Sequence, residues 1–272
     1  MRADTALRLL VVSGRIVVAV LPLGIGVTLL AALIPHDAAP SAPGTLLARG
    51  AGGAAIALLT FAVIAILRRG DRMTTVEAGL GGRGGIRLAL WGALLWLAPA
   101  AVAFGVLAGL GAPLTVTAPP EDVVRTVLLL TPAVLLLEAL PEEAAFRGYI
   151  GGLIGREIPR WWAIVVQALL FTLFAAGLRG GASPVDLSLF LTMGIGLGYL
   201  RMITGSIWVG VGFHTAFQTG SQLVFSHDVV AFAGGEVAAM LALGAVPFTV
   251  AGVAVSVVGI PRFVRRRPAT RS

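Results

Sequence analysis

The sequence predicts an all-α fold, a polytopic bundle of about eight transmembrane helices with both termini in the cytoplasm. Three observations predict it. Of the 272 residues, 57% are hydrophobic and 12% are charged, and the mean hydropathy of +0.95 exceeds what a water-soluble domain tolerates. The apolar residues form runs about as long as one bilayer crossing, such as 16–34 and 55–67. The arginines gather between alternate runs.

Each span follows from a hydropathy window of about 19 residues, and glycines and prolines separate one span from the next. We expect the first helix to be retained rather than cleaved as a signal peptide, because its apolar stretch is too long for a signal sequence. The whole chain, 1–272, is interpreted as a single membrane domain. The predicted spans are 16–34, 50–67, 88–112, 125–147, 161–178, 185–203, 205–222 and 236–259.

The arginines predict the orientation, because cytoplasmic loops retain positive charge. With the N-terminus inside, the outer side holds only Arg49, Arg125 and Arg179. The Arg265–Arg267 run serves as a topology signal and also suits anionic headgroups. The inner arginines are Arg2, Arg8, Arg15, Arg68, Arg69, Arg72, Arg83, Arg87, Arg156, Arg160, Arg201, Arg262, Arg265, Arg266, Arg267 and Arg271.

The composition also excludes several classes of function. The chain has no cysteine, which excludes disulfides and thiolate chemistry. Its net charge of +7 does not indicate nucleic acid, because the arginines are not interleaved with aromatic residues on one face. The expected partners are the lipid bilayer and a membrane-associated peptide or protein, with no nucleic acid.

The fourth span carries charges that are costly in lipid. Glu138, Glu142, Glu143 and Arg147 lie in or near its hydrocarbon region. Inserting four such charges into lipid costs on the order of 10 kcal/mol, which exceeds the favourable free energy that the apolar residues of the span contribute. The charged side chains must therefore face the bundle interior or a water-filled cavity. Glu143 and Arg147 are spaced i,i+4, acid before base, which favours an ion pair. Pro141 predicts a kink just before the glutamate pair.

Two interpretations of these charges remain open. Ionisable residues inside a membrane indicate a functional site by default. Alternatively, Glu142, Glu143 and Arg147 form a buried ion cluster that only fixes helix packing. Glu138 has no cation at i+4, so it is either a supporting residue or a solvated one that faces a cavity.

The seventh span contains a second polar site. His214 and Gln218 are spaced i,i+4 and share one helix face. Together they offer a titratable group and an amide donor, the groups that stabilise a tetrahedral oxyanion. The competing interpretation is that His214 is a packing histidine satisfied by hydrogen bonds.

The sequence gives little support for a metal cofactor, and none is predicted. It contains no His-Glu-x-x-His motif and no cysteine, and His36 and His227 fall in predicted outer loops. Glu142, Glu143 and His214 could just supply the three ligands of a zinc site.

These motifs resemble a family, the CPBP or Abi intramembrane proteases, which includes the type II CAAX prenyl endopeptidases and bacteriocin-processing proteins. The resemblance covers about residues 120–222. It rests on the Glu142-Glu143-x-x-x-Arg147-Gly148-Tyr149 sequence and on His214. It also rests on Gly198-Tyr199-Leu200 and on Thr204-Gly205-Ser206-Ile207-Trp208.

The resemblance implies a bacterial plasma-membrane peptidase that works with water inside the bilayer. Glu142 would activate the water, Arg147 would orient the site together with Glu143, and His214 with Gln218 would form the oxyanion pair. The substrate would be a membrane-associated peptide or protein.

Two motifs depart from the family. The family's last motif is His-x-x-x-Asn or Asp, and Gln218 stands at its end, where the amide is kept on a longer side chain. The family's Phe-x-x-x-His motif corresponds to Phe171 and Ala175, so alanine stands where the family has histidine. Loss of one acid/base group costs about 10² to 10⁴ in rate. We therefore keep two alternatives: an inactive relative that acts as a membrane binding or immunity-type partner protein, and a transporter with buried charges on broken helices.

Overall fold

The computed structural model describes residues 2–81, 84–227 and 229–262. Eight long helices and one pair of short strands make up this part of the chain. The strands, β1 (Leu114–Val116) and β2 (Val230–Phe232), pair antiparallel, with Thr115 opposite Ala231. The helices are α1 (Arg2–Leu33), α2 (Pro43–Gly70), α3 (Gly85–Gly109), α4 (Pro120–Ile154), α5 (Arg160–Leu178), α6 (Pro184–Thr204), α7 (Trp208–Phe225) and α8 (Gly235–Val257).

The eight predicted spans correspond one to one to these helices. The largest differences are at α1, which begins at residue 2 rather than 16, at α2, which begins at 43 rather than 50, and at α4, which ends at 154 rather than 147. Seven of the described helices are long and apolar enough to cross a membrane, and α7 is not among them. Its histidine and glutamines lower its mean hydropathy, so α7 is a helix that brings polar side chains into the bundle.

Long apolar side chains cover the outside of the bundle, including exposed leucines on three different helices: Leu58, Leu90 and Leu173. Such a surface suits lipid rather than water. The chain is therefore described as a multi-pass integral membrane protein. The orientation of its termini stays a prediction, and Arg83, Arg265, Arg266, Arg267 and Arg271 lie outside the described residues.

Glycines allow α7 to approach its neighbour at backbone distance. Gly212 of α7 lies against the backbone of Ala89 in α3, and Gly92 of α3 lies against the carbonyl of Val209. A Cβ at either glycine would overlap these backbone atoms. Small residues at a crossing are the usual way for membrane helices to pack closely. The contact holds the polar helix in a fixed position against α3.

Helix α4 is not a regular α-helix. Two π-helical segments, Leu135–Ala139 and Glu143–Ile150, lie on either side of one α-helical turn, Leu140–Glu142. Pro141 lies in that turn and lacks the N–H that would continue the regular pattern. The distortion predicted at Pro141 thus takes the form of wide π turns, which are frequent at functional sites.

The loop 71–81 is bound to the end of the bundle where α4 ends and α5 begins, here called the Arg160 end. Tyr149 donates a hydrogen bond of 2.5 Å to the Asp71 carboxylate, which also pairs with Arg15. Arg156 donates to the Asp71 carbonyl at 2.9 Å and to the Glu77 carboxylate at 3.0 Å. These contacts join α1, the loop and the end of α4.

Candidate active site

Two helices supply the polar side chains at the centre of the bundle. The π turn of α4 presents Glu143 and Arg147, and the turn before it presents Glu142. Helix α7 presents His214 from the opposite side. The predicted residues of the fourth and seventh spans therefore come together in space.

Glu143 is the most enclosed of these groups, with no exposed side-chain surface. Its Oε1 lies 3.1 Å from Nη1 of Arg147 and 3.2 Å from Nδ1 of His214. The predicted ion pair between Glu143 and Arg147 is present. Gly210, one turn before His214, makes room for the carboxylate, because a Cβ there would lie 2.5 Å from Glu143 Oε2.

Arg147 is also fully buried, and an aromatic ring supports its charge. Its Cζ lies 4.2 Å from the centroid of the Phe171 ring, which in turn meets Phe146 edge to face at 5.3 Å. A cation placed over a ring in a dry environment is stabilised by about 2 kcal/mol. Phe171, predicted as a supporting residue, therefore contacts the guanidinium directly.

Glu142 occupies a different environment, because 17% of its side chain is exposed. Its Oε2 lies 3.9 Å from Nε2 of His214, so the imidazole stands between two carboxylates. When Nδ1 carries a proton it donates to Glu143, and this bond turns Nε2 towards Glu142. The arrangement pairs a buried carboxylate that orients the ring with an accessible one that can meet a reactant.

Glu138 lies in a second polar cluster, one turn from Glu142. Gln218 and Gln222 each donate an amide hydrogen bond to its carboxylate, at 2.7 and 2.8 Å. Arg49 of α2 lies 3.3 Å from the same carboxylate and also donates to the Gln222 side-chain oxygen at 2.8 Å. These bonds fit the interpretation of Glu138 as a supporting residue.

Sequence reasoning missed two members of this cluster. Gln222 continues the helix face of His214 and Gln218 at the same spacing of four, so a signal for it was present. Arg49 was assigned to an outer segment, and nothing in the local sequence links it to Glu138, 89 residues away. Only the packing of α2 against α4 brings them together.

Ala175 lies on the side of α5 that faces α4. It is one turn beyond Phe171, which contacts Arg147. Ala175 is half-buried against the core and brings no polar group to this side of α5.

The residues do not fit a zinc site. Among the described residues, no three or more histidine and acidic side chains are grouped in a way that could hold a metal ion. Glu143 directs one carboxylate oxygen to both Arg147 and His214, so that oxygen already serves two partners. His214 and Glu143 form a hydrogen-bonded pair, and Glu142 lies 3.9 Å from the other ring nitrogen of His214.

Comparison with known proteins identifies a family over the part of the chain that carries these residues. Residues 124–220 match the model of a family described as Type II CAAX prenyl endopeptidase Rce1-like. The match confirms the resemblance seen in the motifs, and its range contains Glu138, Glu142, Glu143, Arg147, His214 and Gln218. A search of curated protein sequences found no match.

Proposed function

We propose that this type II CAAX endopeptidase domain makes the chain an intramembrane endopeptidase that cleaves a membrane-associated peptide or protein with water activated by Glu142. One observation carries the proposal: His214 stands between a buried carboxylate and an accessible one inside an apolar bundle. Such a site excludes bulk water and strengthens electrostatic interactions with a developing charge.

The reaction begins with a water molecule beside Glu142. The carboxylate takes a proton from the water while the water oxygen attacks the peptide carbonyl carbon. The carbonyl oxygen becomes an oxyanion. The protonated Glu142 then gives its proton to the amide nitrogen as the C–N bond breaks. The products are a carboxylic acid and an amine, and Glu142 returns to its starting state.

His214 and Gln218 stabilise the oxyanion in this scheme. A doubly protonated His214 donates from Nδ1 to Glu143 and keeps the Nε2 proton for the oxyanion. Two glutamates, Arg147 and this imidazolium then sum to zero charge, which suits an apolar surrounding. Gln218 gives one amide hydrogen to Glu138 and retains a second for the oxyanion.

Glu143 and Arg147 act as positioning residues in the proposal. Glu143 fixes the imidazole ring, and Arg147 balances the charge of Glu143 while it rests on Phe171. Neither needs to touch the substrate.

Cleavage assays with the purified chain in lipid nanodiscs test the proposal. Candidate membrane-associated peptides, with and without a prenyl group, are incubated with the native chain, Glu142→Ala and the control Glu157→Ala, whose side chain is exposed near the Arg160 end. We expect cleavage by the native chain and by the control, and a rate about 10² to 10⁴ lower for Glu142→Ala. Equal rates for native and Glu142→Ala protein would reject the proposed role.

Ala175 favours a second candidate, a catalytically inactive relative that binds a membrane partner. Helix α5 supplies no acid or base at the position where the resemblance implies a histidine. Ala175→His decides between the two, with Ala176→His as the control on the neighbouring position. If the native chain does not cleave the peptides and Ala175→His does, the result supports the inactive relative. Robust cleavage by the native chain rejects it.

A further inference from the structure

A polar cavity of about 550 Å³ opens at the Arg160 end of the bundle. The end of α4, the start of α5, the end of α6 and Val76 and Glu77 of the loop 71–81 enclose it. Its charged lining residues are four arginines and one glutamate, with a net charge of +3: Arg147, Arg156, Arg160, Arg201 and Glu77. Glu142 and His214 do not line it, and Arg147 is the residue of the candidate active site that it shares.

Two buried groups in the wall have unused hydrogen-bonding capacity. None of the three Arg147 nitrogens makes a hydrogen bond of good geometry to the described residues, although the guanidinium lies beside Glu143. Gln167 donates from its amide nitrogen to the carbonyls of Gly194 and Ile164, at 2.8 and 3.1 Å. These bonds fix the amide, and its buried oxygen accepts nothing from that same part of the chain. The wall thus offers donors for an anion and one acceptor for a hydroxyl.

The position of the cavity along the bundle indicates where its occupant comes from. Trp161 and Trp162 follow Arg160 directly and are 56% and 64% exposed. Exposed tryptophans at the end of a membrane helix typically lie at the level of the lipid headgroups. The opening of the cavity is therefore level with lipid phosphates rather than with bulk solvent or the hydrocarbon core.

We propose that this cavity binds the phosphate of an anionic phospholipid whose headgroup carries a hydroxyl. Arginine matches phosphate because its planar fork donates two parallel hydrogen bonds, and basic pockets between membrane helices suit anionic headgroups. The headgroup hydroxyl donates to the buried Gln167 oxygen. A lipid bound here shares Arg147 with Glu143, which connects the membrane composition to the candidate active site. The proposal does not depend on the chain being a peptidase.

Lipid binding to the purified full chain in a neutral detergent tests this inference. Native mass spectrometry measures the affinity for phosphatidylglycerol, phosphatidic acid and phosphatidylcholine with the same acyl chains. We expect phosphatidylglycerol to bind most tightly, because phosphatidic acid lacks the headgroup hydroxyl and phosphatidylcholine has no net charge. Arg160→Gln should weaken phosphatidylglycerol binding about fivefold, and Arg156→Gln/Arg160→Gln about 25-fold, since one interfacial arginine is worth about 1 kcal/mol.

Arg87→Gln is the matched control, since Arg87 is exposed at the same end of the bundle and does not line the cavity. Its affinity should equal that of the native chain. The inference is overturned if Arg160→Gln and the double variant bind phosphatidylglycerol as the native chain does, with unchanged helical content. If inorganic phosphate alone binds as tightly as phosphatidylglycerol and displaces it, the cavity binds soluble phosphate. The proposal that the bound phosphate belongs to a lipid is then rejected. Arg160→Gln keeps the test decisive if the double variant misfolds, because the Arg160 side chain is exposed.

Discussion

Glu143 lies between a guanidinium and an imidazole, and all three side chains are buried. Removal of one partner from a buried ion pair is costly, about 3–5 kcal/mol, because the other charge remains without compensation. The same residue orients His214 through Nδ1. Its structural and positioning roles therefore cannot be separated by deleting the carboxylate, and a gentler change is needed.

Gly210 offers that change. In Gly210→Ala the added methyl would lie 2.5 Å from Glu143 Oε2, so the carboxylate must move away from its present position. We expect the free energy of unfolding to fall by about 1–3 kcal/mol and peptide cleavage to slow, because His214 loses its oriented partner. Denaturant unfolding in detergent and the nanodisc cleavage assay measure the two effects.

Gly105→Ala is the control for this substitution. Gly105 is also within a helix, and a Cβ there would meet nothing within 4 Å. Its unfolding free energy and cleavage rate should stay unchanged or improve. An equal loss in both variants would show that the effect comes from helix glycines in general and not from the Glu143 contact.

At the scale of residues, the sequence predicted much of the site. The i,i+4 spacing of Glu143 and Arg147 was enough to predict their ion pair, because both lie on one helix. The contact of Arg147 with the Phe171 ring was not predictable from spacing, since it depends on how α5 packs against α4. The contact of Arg49 with Glu138 was not predictable for the same reason, since it depends on how α2 packs against α4. The assigned roles of Glu142, His214 and Gln218 stay predictions.

At the scale of elements, hydropathy located every long helix of the described residues, and its ends lie within five residues of the observed ends except at the starts of α1 and α2 and the end of α4. A mean over 19 residues records burial in lipid but not hydrogen-bond geometry. The hydropathy window could therefore not predict the π turns of α4, although Pro141 indicated where the regular helix is interrupted. The contacts that Tyr149 and Arg156 make with the loop 71–81, here called the clasp, were likewise not predictable. These two residues reach the loop from a distant part of the chain.

The clasp should respond to pH through Glu77. The Thr74 backbone N–H, the Arg156 side chain and the Thr74 hydroxyl donate to its carboxylate and lower its pKa from the usual 4.5 to about 2. A lowered pKa in the folded state means that the clasp is stabilised above about pH 4.5 and loses this support as the pH falls towards 2. The protection factors of the loop amides in hydrogen exchange should therefore fall over that interval.

Glu77→Gln tests this assignment because it removes the titrating group and keeps the side-chain shape. The loop amides of the variant should have lower protection factors than the native loop at pH 7, and these should change less between pH 4.5 and pH 2. An equal change of the protection factors in both proteins would contradict the assigned role of Glu77. Glu157→Gln is the control, since its exposed side chain lies near the same end and its carboxylate makes no contact with the described loop residues 71–81.

At the scale of the whole molecule, seven helices of the described residues are apolar enough to cross a membrane. The polar side chains of the candidate site come from one of these, α4, and from the less apolar helix α7. The orientation of the bundle rests on the distribution of arginines alone. It predicts that residue 157 faces the cytoplasm and residue 121 the outside.

Cysteine labelling can check this orientation without background, because the chain has no native cysteine. Glu121→Cys and Glu157→Cys place one thiol at each end of the bundle, both at exposed positions. A membrane-impermeant maleimide should label Glu121→Cys in intact cells and Glu157→Cys only after permeabilisation. The reverse labelling pattern would show that the bundle has the opposite orientation in the membrane.

In the proposed reaction Glu142 activates water, whereas Glu138, one turn away on the same helix, only supports the site. Single-turnover cleavage of one peptide substrate in nanodiscs by Glu142→Gln and Glu138→Gln tests this division of roles, because the same chemical change is made at two neighbouring glutamates. We expect a rate constant about 10² to 10⁴ lower for Glu142→Gln and less than about tenfold lower for Glu138→Gln. Equal losses in both variants, or a larger loss in Glu138→Gln, would contradict it.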